Sequence, residues 1–80
     1  ESVTLKCSYE TSSEYVSLYW YRQYPNRALQ YLLYKDARRW SDSHTADNRF
    51  ESTTTSSSTD LTVTVSLADT ALYYCALRVG

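Results

Sequence analysis

The chain has 80 residues, one small domain whose folding hides only about 60% of its unfolded surface, so a covalent staple is expected. Hydrophobic residues at 42% and charged residues at 21% exclude a disordered chain, and no apolar run approaches the roughly 20 residues that cross a bilayer. Eight Lys plus Arg against nine Asp plus Glu leave a net charge of -1, which excludes a basic field for nucleic acid or an anionic membrane.

Twenty-two residues are Ser or Thr, nine are Tyr and one is Gly, a composition that favours short strands with a tyrosine-rich surface over helices. Cys7 and Cys75 stand near opposite ends of the chain, too far apart for a redox Cys-x-x-C motif and too few for a structural zinc site. One disulfide is the natural reading, and closing so long a loop removes about 4 kcal/mol of unfolded-state freedom in the chain-entropy picture. Such a bond implies an oxidising compartment. Glu1 to Thr4 show no positively charged and then apolar leader pattern, so any signal peptide is expected to have been removed or left out.

Val3, Leu5, Cys7 and Tyr9 alternate with polar residues, which predicts a half-buried strand carrying its cysteine inward. Residues 10–14 are polar and aperiodic, a loop. A second strand is predicted over Leu18–Gln23, stopped by Tyr24-Pro25-Asn26-Arg27, where proline fixes φ and asparagine tolerates the left-handed region. Leu29–Tyr34 is apolar on both parities, as in a strand covered on both faces. From Lys35 to Asn48 the chain turns polar, a loop with at most one short edge strand. Phe50 anchors a strand within 49–54, and the Ser/Thr run from Thr53 to Thr59 reads as a weak edge or a turn. Leu61, Val63, Val65 and Leu67 form the cleanest alternation in the chain. In the last strand Ala71, Tyr73 and Cys75 share one parity and Leu72, Tyr74 and Ala76 the other, which predicts cover on both faces. About six strands separated by turn signals point to an all-β sandwich.

Cys7, Trp20 and the run Asp69-Thr70-Ala71-Leu72-Tyr73-Tyr74-Cys75 resemble the immunoglobulin variable domain, with an inter-sheet disulfide packed on a buried tryptophan and a tyrosine two residues before the second cysteine. Within that family, Trp20-Tyr21-Arg22-Gln23-Tyr24-Pro25, Leu29-Gln30-Tyr31-Leu32-Leu33 and Cys75-Ala76-Leu77-Arg78 are similar to a T-cell receptor alpha chain, including the V segments shared with delta chains. The Ser and Thr residues between Arg49 and Thr59 agree, since antibody light chains usually carry glycine there. The resemblance implies one partial V-type sandwich over residues 1–80, from strand B to the start of the third hypervariable loop, without strand A or strand G.

It also implies functions for particular residues. Trp20 and Tyr73 belong to the core, and Arg49 pairs with Asp69, which Arg22 also reaches, to close the bottom of the sandwich. Tyr19, Tyr21, Gln23 and Tyr74, with Tyr31, Leu32 and Leu72 adding apolar area, form the face that pairs with a beta-chain variable domain. Glu14 and Tyr15, then Lys35, Asp36, Arg38, Arg39 and Trp40, then Leu77 and Arg78, fall in the three loops that contact ligand. The implied ligand is a peptide on an MHC or MHC-like protein, with the receptor's signalling chains as further partners and the cell surface as location. A delta chain, an antibody light chain and a V-type adhesion or inhibitory receptor are the alternatives.

An enzyme reading starts from Asp42-Ser43-His44, but consecutive residues of an extended segment point to alternating sides and do not converge as a catalytic triad. One His and two paired cysteines offer no metal set, so no cofactor is expected, and neither asparagine lies in a glycosylation sequon.

Overall fold

The computed structural model describes residues 2–64 and 70–80. Within them the chain forms seven strands and no helix: β1 (Ser2–Ser8), β2 (Tyr15–Gln23), β3 (Gln30–Arg38), β4 (Ser43–Thr45), β5 (Phe50–Thr54), β6 (Ser58–Thr64) and β7 (Leu72–Val79). Two antiparallel sheets result, one in the order β1-β6-β5 and the other in the order β4-β3-β2-β7. This is the β-sandwich expected from the alternation of the sequence.

The two sheets meet over Trp20, Leu32, Leu33, Phe50, Leu61 and Val63, with Leu5, Cys7, Tyr73 and Cys75 packed against them. A second cluster of Tyr9, Val16, Leu18 and Ala37 fills the end nearer the start of β2. Cys7 and Cys75 are bonded, with Cα atoms 6.6 Å apart, inside the span that a disulfide bridges. Trp20 lies opposite Cys75 in the β2–β7 ladder, and its indole Nε1 donates to Thr59 Oγ1 at 3.2 Å, so its one polar atom is satisfied in the core. Tyr73 is half-buried, its ring 6.3 Å from that of Phe50.

The turn after β2 follows its residues. Arg27 N donates to Tyr24 O at 3.1 Å and Asn26 has φ of 58°, so proline precedes a left-handed residue as type II turns require. The Ser/Thr run resolves into two strand ends around a turn in which Thr55 Oγ1 accepts from the amides of Ser57 and Ser58. Thr59 is fully buried there and shares its hydroxyl with Ser52, Thr54 and Trp20.

Several expectations need correction. Leu32, assigned to the outer face, is 1% exposed in the core: the β2–β3 register pairs Trp20 with Leu33 but Tyr21 with Tyr31, so Leu32 is an inserted bulge residue. The bulge turns two consecutive leucines inward, which strict alternation forbids. Residues 35–38 are not loop but the continuation of β3, and β2 starts at Tyr15, because the two strands stay paired to Tyr15–Arg38. Leu77 and Arg78 are strand residues of β7. The outer face of β7 is uncovered, with Leu72 63% exposed and Tyr74 43% exposed. Val3, expected inward, is 40% exposed.

Candidate functional site

The ladders sort side chains onto the two faces of the four-stranded sheet. Because paired residues share a face, Ser17, Tyr19, Tyr21 and Gln23 of β2 stand outward with Arg78, Ala76, Tyr74 and Leu72 of β7. Asp36, Tyr34 and Tyr31 of β3 share that side, and His44 of β4 stands opposite Tyr34. The rings form a continuous layer: Tyr19 lies 5.2 Å from Tyr34 and 6.4 Å from both Tyr21 and Tyr31, and Tyr31 lies 6.1 Å from Tyr21. His44 stacks on Tyr31 at 5.7 Å, its Nδ1 2.8 Å from the Tyr31 hydroxyl. Partial burial, with Tyr19 and Tyr21 adding, pushes the Tyr31 hydroxyl up from its ordinary pKa. Gln23 borders the layer and its side-chain amide donates to Arg27 O at 3.2 Å, which fixes its orientation.

Half-buried tyrosine rings with exposed Leu72 and Tyr74 make an aromatic, amphipathic surface at sheet scale, the chemistry of a pairing face. Of the residues expected there, Tyr19, Tyr21, Gln23, Tyr31, Leu72 and Tyr74 share this face and Leu32 does not. Tyr34 and His44 were not expected on this face, since Tyr34 closes the predicted third strand and His44 lies in the segment read as loop.

The second surface lies at the end of the sandwich where β2 begins and β3 and β7 finish. Trp40 joins the three segments: its ring is 5.5 Å from that of Tyr15, and the Arg78 guanidinium stands 5.7 Å over it. Gly80 completes the corner, donating its amide to Tyr15 O at 2.9 Å and accepting from Ser13 Oγ at 2.9 Å. A Cβ built on Gly80 would lie 2.6 Å from the Trp40 ring, so this position has no room for a side chain unless Trp40 moves. Arg39 pairs with Glu14 at 2.9 Å, both highly exposed. Glu14, Tyr15, Arg39, Trp40 and Arg78 are therefore brought together.

The remaining loop candidates are placed differently. Lys35 lies opposite Leu18, on the inward side of β3, and is half-buried. Leu77, also opposite Leu18, shares that side. Arg38 sits in the left-handed region with φ of 62°, where a side chain other than glycine is strained, and its guanidinium donates to the carbonyls of Thr11, Ser13 and Ser56 while lying 5.4 Å over the Tyr9 ring. It clamps the segment before β2 to the β5–β6 turn. Nothing in residue spacing distinguishes such a clamp from a free loop arginine.

Between the two surfaces Asp36 accepts from Ser17 Oγ and from Asp42 N, and Asp42 accepts from the Tyr34 hydroxyl at 2.8 Å and from Ser43 N at 2.8 Å. That hydrogen bond to the carboxylate pushes the Tyr34 hydroxyl up to about 12 and holds Asp42 below the usual carboxylate range. Asp42, Ser43 and His44 form no relay, since the His44 Nδ1 is engaged by Tyr31 and the Asp42 carboxylate by Tyr34.

At the opposite end, Arg22 is buried, donates from Nε to Gln30 Oε1 at 3.0 Å, and packs over Tyr24 and Phe50. Arg49 is ion-paired with Asp47 at 3.0 Å, and hydrogen bonding by Arg49 holds the Asp47 carboxyl down. Asp69, the expected partner of Arg49 and Arg22, lies outside the described residues.

The sequence matches the immunoglobulin V-set domain family over residues 1–80. It is 33% identical over 79 residues to human T cell receptor alpha variable 38-1, covering 95% of this chain and 66% of that relative. It is 37% identical over 78 residues to human T cell receptor alpha variable 9-2, covering 94% of this chain and 66% of the relative. Against the human T cell receptor alpha chain MC.7.G5 the identity is 32% over 81 residues, 98% of this chain but 29% of that protein. The chain thus spans about two thirds of the variable-segment relatives.

Proposed function

This chain belongs to the immunoglobulin V-set domain family, and from that premise we propose that it is the antigen-recognition module of a T-cell receptor alpha chain. In this reading the outer face of the four-stranded sheet pairs with a beta-chain V domain through Tyr21, Gln23 and Tyr74, extended by Tyr19, Tyr31, Tyr34 and His44. The end built by Glu14, Tyr15, Arg39, Trp40 and Arg78 binds a peptide held on an MHC or MHC-like protein. Lys35 leaves the ligand surface because it stands half-buried on the inward side of β3, Leu77 stays beside that surface with 41% of its area exposed, and Arg38 serves it indirectly by holding the first loop. At the far end of the sandwich Arg49 pairs with Asp47. The working location is the extracellular part of a cell-surface receptor that also holds signalling chains.

The observation that carries the reading is the stack of Tyr15, Trp40 and Arg78, which joins three separate segments at one end. Tyr, Trp and Arg are the residue types that dominate binding energy when they are gathered and partly shielded from water. In a full-length receptor, alanine at Tyr15, Arg39, Trp40 and Arg78 is expected to weaken binding to the cognate ligand in surface plasmon resonance, by about 1 kcal/mol or more at two or more positions. Unaltered binding for all four contradicts the assignment.

A delta chain is the second reading, favoured by two human relatives whose names join alpha and delta segments, alpha variable 38-2/delta variable 8 and alpha variable 14/delta variable 4. Failure to associate with any beta-chain domain would favour it.

A further inference from the structure

A groove of about 370 Å³ opens on the outward side of the four-stranded sheet, between the tyrosine layer and the binding end. Tyr19, Tyr34 and Trp40 supply aromatic walls, and Asp36 and Asp42 line it together with Arg78. The two carboxylates are held in place by Ser17, Tyr34 and the amides of Asp42 and Ser43, yet each oxygen accepts a single one of these bonds and keeps further acceptor capacity. Among the described residues no Lys or Arg forms an ion pair with either of them. Arg78, the one cation among the described residues that line it, lies over Trp40 instead. Two aspartates against one arginine leave the groove net negative.

We propose that this groove receives a cationic side chain, Arg or Lys, carried by the partner V domain. The choice of occupant follows from charge. Covering the groove with an apolar or acidic group strips water from two carboxylates and leaves them uncompensated, whereas a guanidinium or ammonium pairs with the acids and lays its face or methylenes on Tyr19, Tyr34 and Trp40. The groove opens on the same side of the sheet as Tyr21 and Tyr74, so the side chain comes from across the pairing face. The inference rests on the pairing reading and assigns the specificity of that seam to its acidic end.

The test uses full-length heterodimeric ectodomains, with a beta-chain partner whose third hypervariable loop carries Arg or Lys. Dissociation constants are measured by sedimentation at low and high salt for the native chain, D36N/D42N and E51Q, the last removing one negative charge from the other sheet where the double variant removes two. The double variant is expected to pair at least 10-fold more weakly at low salt, with the gap closing at high salt, while E51Q pairs like the native chain. Changing the partner's basic residue to alanine is expected to reproduce the loss without adding to it, and that change leaves the fold of this chain untouched should D36N/D42N not fold. Native-like pairing of the double variant and of the altered partner overturns the proposal while leaving the pairing reading intact, as does an equal loss in E51Q or full additivity. A native chain that associates with no beta-chain domain overturns both readings.

Discussion

Tyr34 and Asp42 show how one hydrogen bond sets two titrations in opposite directions. The carboxylate accepts from the phenol at 2.8 Å, which favours the neutral phenol and the ionised acid together. Asp42, with its pKa lowered in the fold, contributes stability that is present above the ordinary aspartate range and lost as pH falls through the lowered value. Tyr34, raised from 10.0 to about 12, contributes stability that is present below its ordinary value and lost as pH rises through about 12. Both groups are solvent-exposed, so the gain is small and the titration itself is the sensitive readout. Phenolate absorbance followed to high pH is expected to show Tyr34 titrating late, near 12, with Tyr31 also above its ordinary value, and Asp42→Asn should return Tyr34 toward 10.0. An unchanged absorbance titration in the variant contradicts the assigned hydrogen bond.

At the scale of the strand, the bulge in β3 decides which residues belong to the core. Leu32 and Leu33 are 1% and 2% exposed, so each fills space between the sheets. Leu32→Ala and Leu33→Ala are therefore both expected to cost about 2–5 kcal/mol in denaturant unfolding. If Leu32 instead stood on an open outer face, its replacement would fall within about 0.5 kcal/mol of neutral. The same element marks the boundary of what the sequence discloses. Alternation placed Leu61 and Val63 in the core, and Tyr19, Tyr21 and Gln23 outward of Trp20, because a period of two survives wherever one face is wet. A bulge leaves no comparable trace: consecutive leucines read as a strand covered on both faces. Polar composition concealed the rest of β3, since Lys35, Asp36 and Arg38 stay in the ladder through pairing to β2 rather than through burial. The Tyr15–Trp40–Arg78 stack was legible only as three residues in three separate segments, because the backbone alone brings them together.

For the whole molecule, stability concentrates where the disulfide and Trp20 bridge the two sheets. Trp20 is 3% exposed, lies opposite Cys75 and hydrogen-bonds Thr59, itself part of a buried hydroxyl network. Trp20→Ala opens a cavity and strands the Thr59 network, an expected loss of about 3–5 kcal/mol, a large fraction of a small domain's total. A variant that keeps the native unfolding midpoint would contradict this placement of the core.

The two sheets differ in what they leave outside. The outward side of β1, β5 and β6 presents short polar residues such as Thr4, Thr62 and Glu51, with Thr4 and Thr62 hydrogen-bonded at 3.1 Å, and is a solvated face. The outward side of β2, β3 and β7 presents the tyrosine layer with exposed Leu72 and Tyr74. Pairing through that second face is the central claim, because it sets which end of the sandwich remains free for ligand. Amide hydrogen exchange on the full-length ectodomain, alone and mixed with a beta-chain ectodomain, tests it most directly. The account predicts slowed exchange on association in β2, β3 and β7, around Tyr21, Tyr31 and Tyr74, and unchanged exchange in β1, β5 and β6. Slowing confined to β1, β5 and β6, or exchange unaltered by the partner at any strand, would contradict it.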